Sequence, residues 1–362
     1  MSLTAKQWLQ QIHQLPLTAK IKIMNVCGGH ERSITMAGLR TALPDNIELI
    51  PGPGCPVCIC PEEDIYAAIQ LALHEKVILA AFGDMLRVPV NVPKKAIRSL
   101  EQAKAAGANI QAIASPLDIL QLTQQYPDET IVFFVTGFET TTAPVAALLA
   151  QGIPDNVLIL LSGRLTYPAV ELLLSSGQAN FDALIAPGHV ATVMGADEWK
   201  FCVNKYQLPT AVAGFEPESL LAAIYSVLRQ YLEKNPFLDN CYPQVVTAQG
   251  NPTAQQHLQQ TMHITDANWR GIGNITQSGF ALNQPAYDAK VHYLGYYQQA
   301  RRHAGDMPAG CDCAKVVLGQ IYPNQCQLYN AACTPRTPIG PCMVSDEGAC
   351  RIWWSHGMRE QK

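Results

Sequence analysis

Unbroken apolar runs recur at regular intervals through the first two thirds of this chain. Residues 20–26, 47–50, 77–82 and 110–114 form one series of four; residues 130–135, 157–161, 183–186 and 210–213 form a second. Short continuous runs of this kind fit parallel strands buried on both faces. Between them apolar residues return at helical spacing, over 28–39, 61–73, 116–122, 139–149, from 168 onward and over 217–231. The alternation of strand, loop and helix predicts an α/β fold. Because the two series share one rhythm, we expect two tandem Rossmann-like α/β domains, 20–126 and 127–232, related by an internal duplication. A short amphipathic helix carrying Gln7, Trp8, Leu9 and Ile12 is expected within 1–19. Beyond about residue 233 the rhythm fails and Gly, Pro, Asn and Gln rise. Residues 244–248 and 289–294 are weak strand candidates there, and 269–273 reads as a turn.

Parallel sheets bind ligands beyond the carboxyl ends of their strands. At those ends stand Cys27, His30, Cys55, Cys58, Asp84, Thr136, Glu139, Arg164 and His189, so a cleft between the two domains is the expected site. The stretch Pro51-Gly52-Pro53-Gly54-Cys55-Pro56-Val57-Cys58-Ile59-Cys60-Pro61 places three thiols on a stiff loop between a strand and a helix. Cys-x-x-Cys in that setting is a redox or soft-metal signature. Pro61 suits a first helical position, with Glu62, Glu63 and Asp64 in the first turn. Cys27 precedes Gly28-Gly29, which lets backbone approach a ligand, and its place before a helix favours the thiolate. His30 and His189 are candidate proton or hydrogen-bond donors. Glu139 is a candidate site residue that could instead cap a helix, and Asp84 could simply pair with Arg87. Cys60 reads as incidental, and Cys202 and Cys241 read as packing residues.

The end of the chain holds six of the twelve cysteines: Cys311, Cys313, Cys326, Cys333, Cys342 and Cys350. Irregular spacing among Pro and Gly turns suits an iron–sulfur cluster. Zinc is the alternative, although the paired short knuckles of structural zinc sites are missing. Six thiols exceed four ligands, so two remain for a dithiol or disulfide. The net charge of −4, without a run of Lys or Arg, argues against nucleic acid and anionic membrane as partners. No apolar run is long enough to span a bilayer, and the N-terminus does not read as a signal peptide. With this many thiols, a cytoplasmic location and metal or redox work are expected.

Taken together, Cys27-Gly28-Gly29-His30, Gly52–Cys58, Phe82–Pro89, Gly137–Thr141, Ala186–Val190, Ala213–Pro217 and Met343–Cys350 resemble the HypD family of [NiFe]-hydrogenase maturation factors over nearly the whole length. The resemblance implies two Rossmann-like domains and a third with a [4Fe-4S] cluster. It implies a scaffold on which iron gains two cyanides and one carbon monoxide, with a HypC-type small chaperone sharing the iron and a HypE-type protein delivering cyanide. By the same resemblance Cys27 is the leading iron ligand, Cys55 and Cys58 are a second thiol pair in the same cleft, either further iron ligands or a dithiol that supplies electrons, and His30, Asp84, Glu139 and His189 line the cleft. Cys313, Cys326, Cys333 and Cys350 would hold the cluster, leaving Cys311 and Cys342 as a redox pair. The chain departs from the family pattern in having Arg32 where many members have a second histidine, and in having Cys60. The residues alone also allow an iron–sulfur-dependent thiol–disulfide oxidoreductase, or a binding protein with a structural metal.

Overall fold

A computed structural model of the chain describes residues 3–93, 95–177, 179–303 and 307–360. The expected boundaries 1–19 and 233–362 extend to residues 1, 2, 304–306, 361 and 362, which lie outside the described residues. The apolar runs do form strands: β1 (Ile21–Asn25), β2 (Ile47–Pro51), β3 (Val77–Phe82), β4 (Ile110–Ile113), β5 (Thr130–Gly137), β6 (Val157–Gly163), β7 (Ala183–Pro187) and β8 (Thr210–Ala213). A short β9 (Leu238–Asn240) follows. They pair in parallel throughout, and almost every residue of β5 to β8 is buried.

The strands do not sort into two consecutive sets. One sheet has the order β2-β1-β7-β8-β9 and the other β4-β3-β5-β6. The division at 126/127 therefore cuts through the second sheet, between β4 and β5. β1 pairs with β7 through Ile23↔Ala183, Met24↔Leu184 and Asn25↔Ile185. The chain begins one sheet, leaves it after β2 to build the other, and returns after β6. The first crossover is the cysteine loop and the helix Glu62–His74. That path sets the thiols at the junction of the two sheets. Uniformly buried strands carry no mark of which neighbour they pair with, so the rhythm is readable in sequence while the partition is not.

The remaining differences lie after residue 233. Residues 244–248 are turn and coil, and 289–294 belong to the helical turn Ala289–His292 and the start of the helix Leu294–His303. The strands in this region are instead an antiparallel hairpin, β10 (Met262–Trp269) and β11 (Gly273–Leu282), whose turn is the expected 269–273 segment. Trp269 is fully buried and its indole N–H donates to Ser278 Oγ at 2.8 Å. The adjacent Arg270 reaches Glu62 Oε1 at 2.7 Å and Pro89 O at 2.8 Å, a buried ion pair that ties the hairpin turn to the crossover helix.

The N-terminal helix Ala5–His13 forms as expected, with Thr4 and Gln7 making a capping box. Ile12 is fully buried, and Trp8 lies 5.3 Å from Tyr225 on the helix Pro217–Glu233. Covering a side chain of that size stabilises by about 2 kcal/mol. Residues 307–360 are mostly turns around the cysteines. They share one buried cluster with Cys55, Cys58, Ile59 and the β3 residues Leu79 and Ala81, so this segment packs directly on the crossover. Among the described residues no helix is long and apolar enough to cross a membrane.

Candidate metal and thiol site

Cys27 is the residue before the helix Gly28–Met36, in extended backbone. The loop bearing Cys55 lies flush against it. Gly28 N donates to Gly54 O at 3.2 Å, and a Cβ on Gly54 would stand 2.5 Å from Cys27 Cα. Only glycine permits that approach. Cys55 starts the helical turn Pro56–Ile59, with Pro56 at its first position, and is joined by a disulfide to Cys58. Pro61, in extended backbone, caps the next helix from outside.

The first turn after Cys27 aims the amides of Gly29 and His30 at its sulfur. Burial, and then the neighbouring Glu347 carboxylate, outweigh them and push the thiol up to about 12. The residue is part-exposed but its sulfur is enclosed by protein. Helix position alone predicts a thiolate, whereas burial and Glu347 favour the thiol. Glu347 is exposed as a residue, but protein packed around its carboxyl, and then Asp84, raise it to about 7 against the pull of Arg32. Its Cβ would lie 2.5 Å from a Cβ placed on Gly28. Asp84 Oδ2 accepts from Ser345 Oγ at 3.1 Å, and Ser345 Oγ accepts from Glu347 N at 3.2 Å. Asp84 does not pair with Arg87, whose guanidinium donates to Pro335 O at 2.7 Å. Neither Glu347 nor Ser345 stands out singly in the sequence; the Ser345-Asp346-Glu347-Gly348-Ala349-Cys350 motif is the signal that contains them.

His30 is fully buried, with Nε2 3.0 Å from Ala213 O. A carbonyl only accepts, so Nε2 carries the proton and Nδ1, buried and without a partner, is a bare acceptor. Burial lowers the ring to about 4. His30 is therefore neutral near pH 7, with its Nε2–H donated to Ala213 O and Nδ1 left as an acceptor. Phe215 stands between the two histidines, 4.8 Å from His30 and stacked at 3.8 Å on the exposed His189. Partial enclosure of its ring lowers His189 as well.

Glu139 is fully buried, and its carboxylate accepts from Thr166 N and Thr166 Oγ1, each at 2.7 Å. The residue that caps its helix is Phe138. Its hydrogen bonds thus join two helices of the second sheet's layer, and burial raises it to about 7. Arg164 is likewise buried, donating to Asn268 O and Gly163 O. Cys60 is buried 3.5 Å from Ser162 Oγ and 3.8 Å from Thr136 Oγ1, a tie between the thiol loop and the ends of β5 and β6.

At the far end of the chain, Cys313, Cys342 and Cys350 bring their sulfurs within 4.8 Å of one another, all buried. Cys313 opens the short helix Cys313–Val317, Cys342 sits in the turn Pro341–Met343 and Cys350 in the helix Ala349–Ser355. Cys311 lies against Cys313, sulfur to sulfur at 3.4 Å, and is not bonded to Cys342. Cys333 Sγ accepts from Ile339 N at 3.3 Å, and Cys326 Sγ faces Gly310 O at 3.8 Å. The tightest corner thus has Cys342 where the resemblance put Cys326 or Cys333. Buried, convergent, all-sulfur donors fit a soft metal or an iron–sulfur cluster.

The two thiol sets meet. Cys27, Cys55, Cys342 and Glu347 line one narrow cavity together with Asn25 and Val317. Cys342 therefore faces the metal corner and the Cys27–Cys55 junction at once.

Comparison with known proteins shows which family the chain resembles. A family model described as "HypD: Hydrogenase formation hypA family" matches residues 3–357. The chain is 37% identical over 353 residues to the hydrogenase maturation factor HypD of Escherichia coli, covering 94% of this chain and 91% of that protein. It is 37% identical over 372 residues to HypD of Rhizobium leguminosarum bv. viciae, covering 99% and 94%, and 35% identical over 348 residues to HypD2 of Bradyrhizobium diazoefficiens, covering 93% and 89%. The chain belongs to the HypD family of hydrogenase maturation factors.

Proposed function

We propose that this chain is the scaffold on which the iron of a [NiFe]-hydrogenase receives its cyanide and carbon monoxide ligands. The observation that carries the reading is the single cavity shared by Cys27, Cys55 and Cys342. Iron, the substrate of the assembly, binds Cys27. A thiol must lose its proton to ligate, so loading releases one proton, and the amides of Gly29 and His30 then support the thiolate. A HypC-type chaperone completes the iron's ligand set, and a HypE-type protein brings cyanide to the pair.

Cys55 and Cys58 are the redox element. Their disulfide takes two electrons and two protons to open into two thiols, and returns both when it closes. Cys313 and Cys350 hold the [4Fe-4S] cluster with two further thiols from Cys326, Cys333 and Cys342. When bound, the cluster supplies single-electron chemistry. Cys342, the thiol common to that corner and to the cavity, is placed to take part in exchange with Cys55.

The disulfide beside Cys342 also favours a second reading, a thiol–disulfide oxidoreductase that binds no iron at Cys27. Infrared spectra of the protein purified with its small partner separate the two. Bands of metal-bound cyanide and carbon monoxide support the scaffold; a complex that turns over the disulfide and never shows them supports the oxidoreductase.

A further inference from the structure

On the other side of the cysteine segment, a cavity of about 350 Å³ opens between the turn after β3, the start of the helix Leu100–Ala105 and residues 332–339. Three arginines, Arg87, Arg98 and Arg336, line it, against one acid, Glu101. Among the described residues none of the three forms an ion pair with a carboxylate; Arg40, Arg164, Arg229, Arg270 and Arg351 each do, and Arg32 and Arg359 do not. Two are aimed by backbone carbonyls instead: Arg87 by Pro335 O at 2.7 Å and Arg98 by Val90 O at 3.2 Å. Each bond uses part of a guanidinium and leaves other N–H groups for a ligand.

Arg336 comes from far along the chain to join Arg87 and Arg98, three like charges that repel one another, and the protein as a whole is acidic. Such an arrangement is compensated when an anion sits between them. Guanidinium groups pair with phosphate through parallel N–H donors, and the volume is that of a small-molecule site. Ser99, whose oxygen accepts from Gln102 N at 3.2 Å, keeps its hydroxyl proton for an acceptor.

We propose that this cavity binds a phosphate-bearing small molecule, clamped by Arg98 and Arg336, with Arg87 linking the site to the cysteine segment. The link is short. Arg87 holds Pro335, and Ile339, in the same cavity wall, donates its amide to Cys333. Filling the cavity fixes residues 332–339 between two layers and so fixes the surroundings of Cys333.

The test is calorimetric titration of the full chain, as isolated, with inorganic pyrophosphate. Hydrogen exchange is then read at residues 332–339. The expected result is saturable binding that weakens with salt, and slower exchange in that segment when pyrophosphate is present. Arg98→Ala and Arg336→Ala should each weaken binding about tenfold or more, and Arg229→Ala on a remote helix should not. Arg336 is exposed, so its replacement tests the site even where Arg98→Ala perturbs folding. Absence of saturable binding, or affinity unchanged in Arg336→Ala, overturns the proposal. So does polyglutamate binding that Arg336→Ala abolishes and pyrophosphate does not displace, since the face would then be a docking surface for an acidic protein.

Discussion

His30 is the residue whose burial has the plainest solution consequence. Its folded value near 4 lies below the ordinary 6.5. Between those values the unfolded chain binds a proton that the folded chain refuses. Stability is therefore highest above about pH 6.5 and is lost as the pH falls toward 4, by about 3 kcal/mol in all. His30→Gln removes that slope. Chemical denaturation from pH 7.5 to 4.5 should show a smaller fall in stability for the variant than for the native chain. An equal fall would mean that other groups carry the acid sensitivity. The same reasoning separates helix position from chemistry at Cys27. Two amides favour a thiolate there, but burial and Glu347 oppose it, so the metal-free sulfur should alkylate slowly near neutral pH.

At the scale of elements, the strand–loop–helix unit bearing Cys55 is pinned to the unit bearing Cys27 through Gly54. In Gly54→Ala the new methyl carbon meets Cys27 Cα at 2.5 Å, and also Val26 O. Rigid backbone cannot yield as a side-chain end does, so the loop must lift. A cost of about 1–3 kcal/mol is expected, read as a lower denaturant midpoint together with faster alkylation of Cys27. A midpoint unchanged from the native chain would show that the close approach is not obligatory. This loop was legible in sequence because Pro, Gly and Cys mark it directly. The hairpin was not. Met262–Trp269 reads Met-His-Ile-Thr-Asp-Ala-Asn-Trp, with Ile264 exposed and its neighbours polar. Its stability comes from pairing with β11 and from Trp269, and neither leaves an alternating pattern. The cysteine corner was half legible. Six thiols announce it, but which three converge depends on the turn at Pro341 and the helix at Ala349, far apart in sequence terms from Cys313. In aerobically isolated protein, iron and sulfide content should fall in Cys313→Ala and Cys350→Ala. Retention of both in either variant would remove that residue from the ligand set.

At the scale of the whole molecule, the chain crosses from one sheet to the other and back, and the first of those crossings carries Cys55, Cys58 and Cys60. A strict tandem arrangement would leave the thiol loop at the end of its own domain. The interleaved order sets it between two sheets and under the C-terminal segment, where thiols from both ends of the chain share one buried cluster. The buried pair Arg270–Glu62 is part of that assembly. Removing one partner leaves the other charge buried, so Arg270→Ala should cost about 3–5 kcal/mol. Replacing both by apolar residues should cost less, and a double variant as unstable as the single one would show that the pair is worth more than its desolvation. The central claim, however, concerns iron. The most direct measurement is infrared spectroscopy of the chain purified with its small partner, native beside Cys27→Ala. The account predicts bands of metal-bound cyanide and carbon monoxide in the native complex and their loss in the variant; bands of equal intensity in both would contradict it.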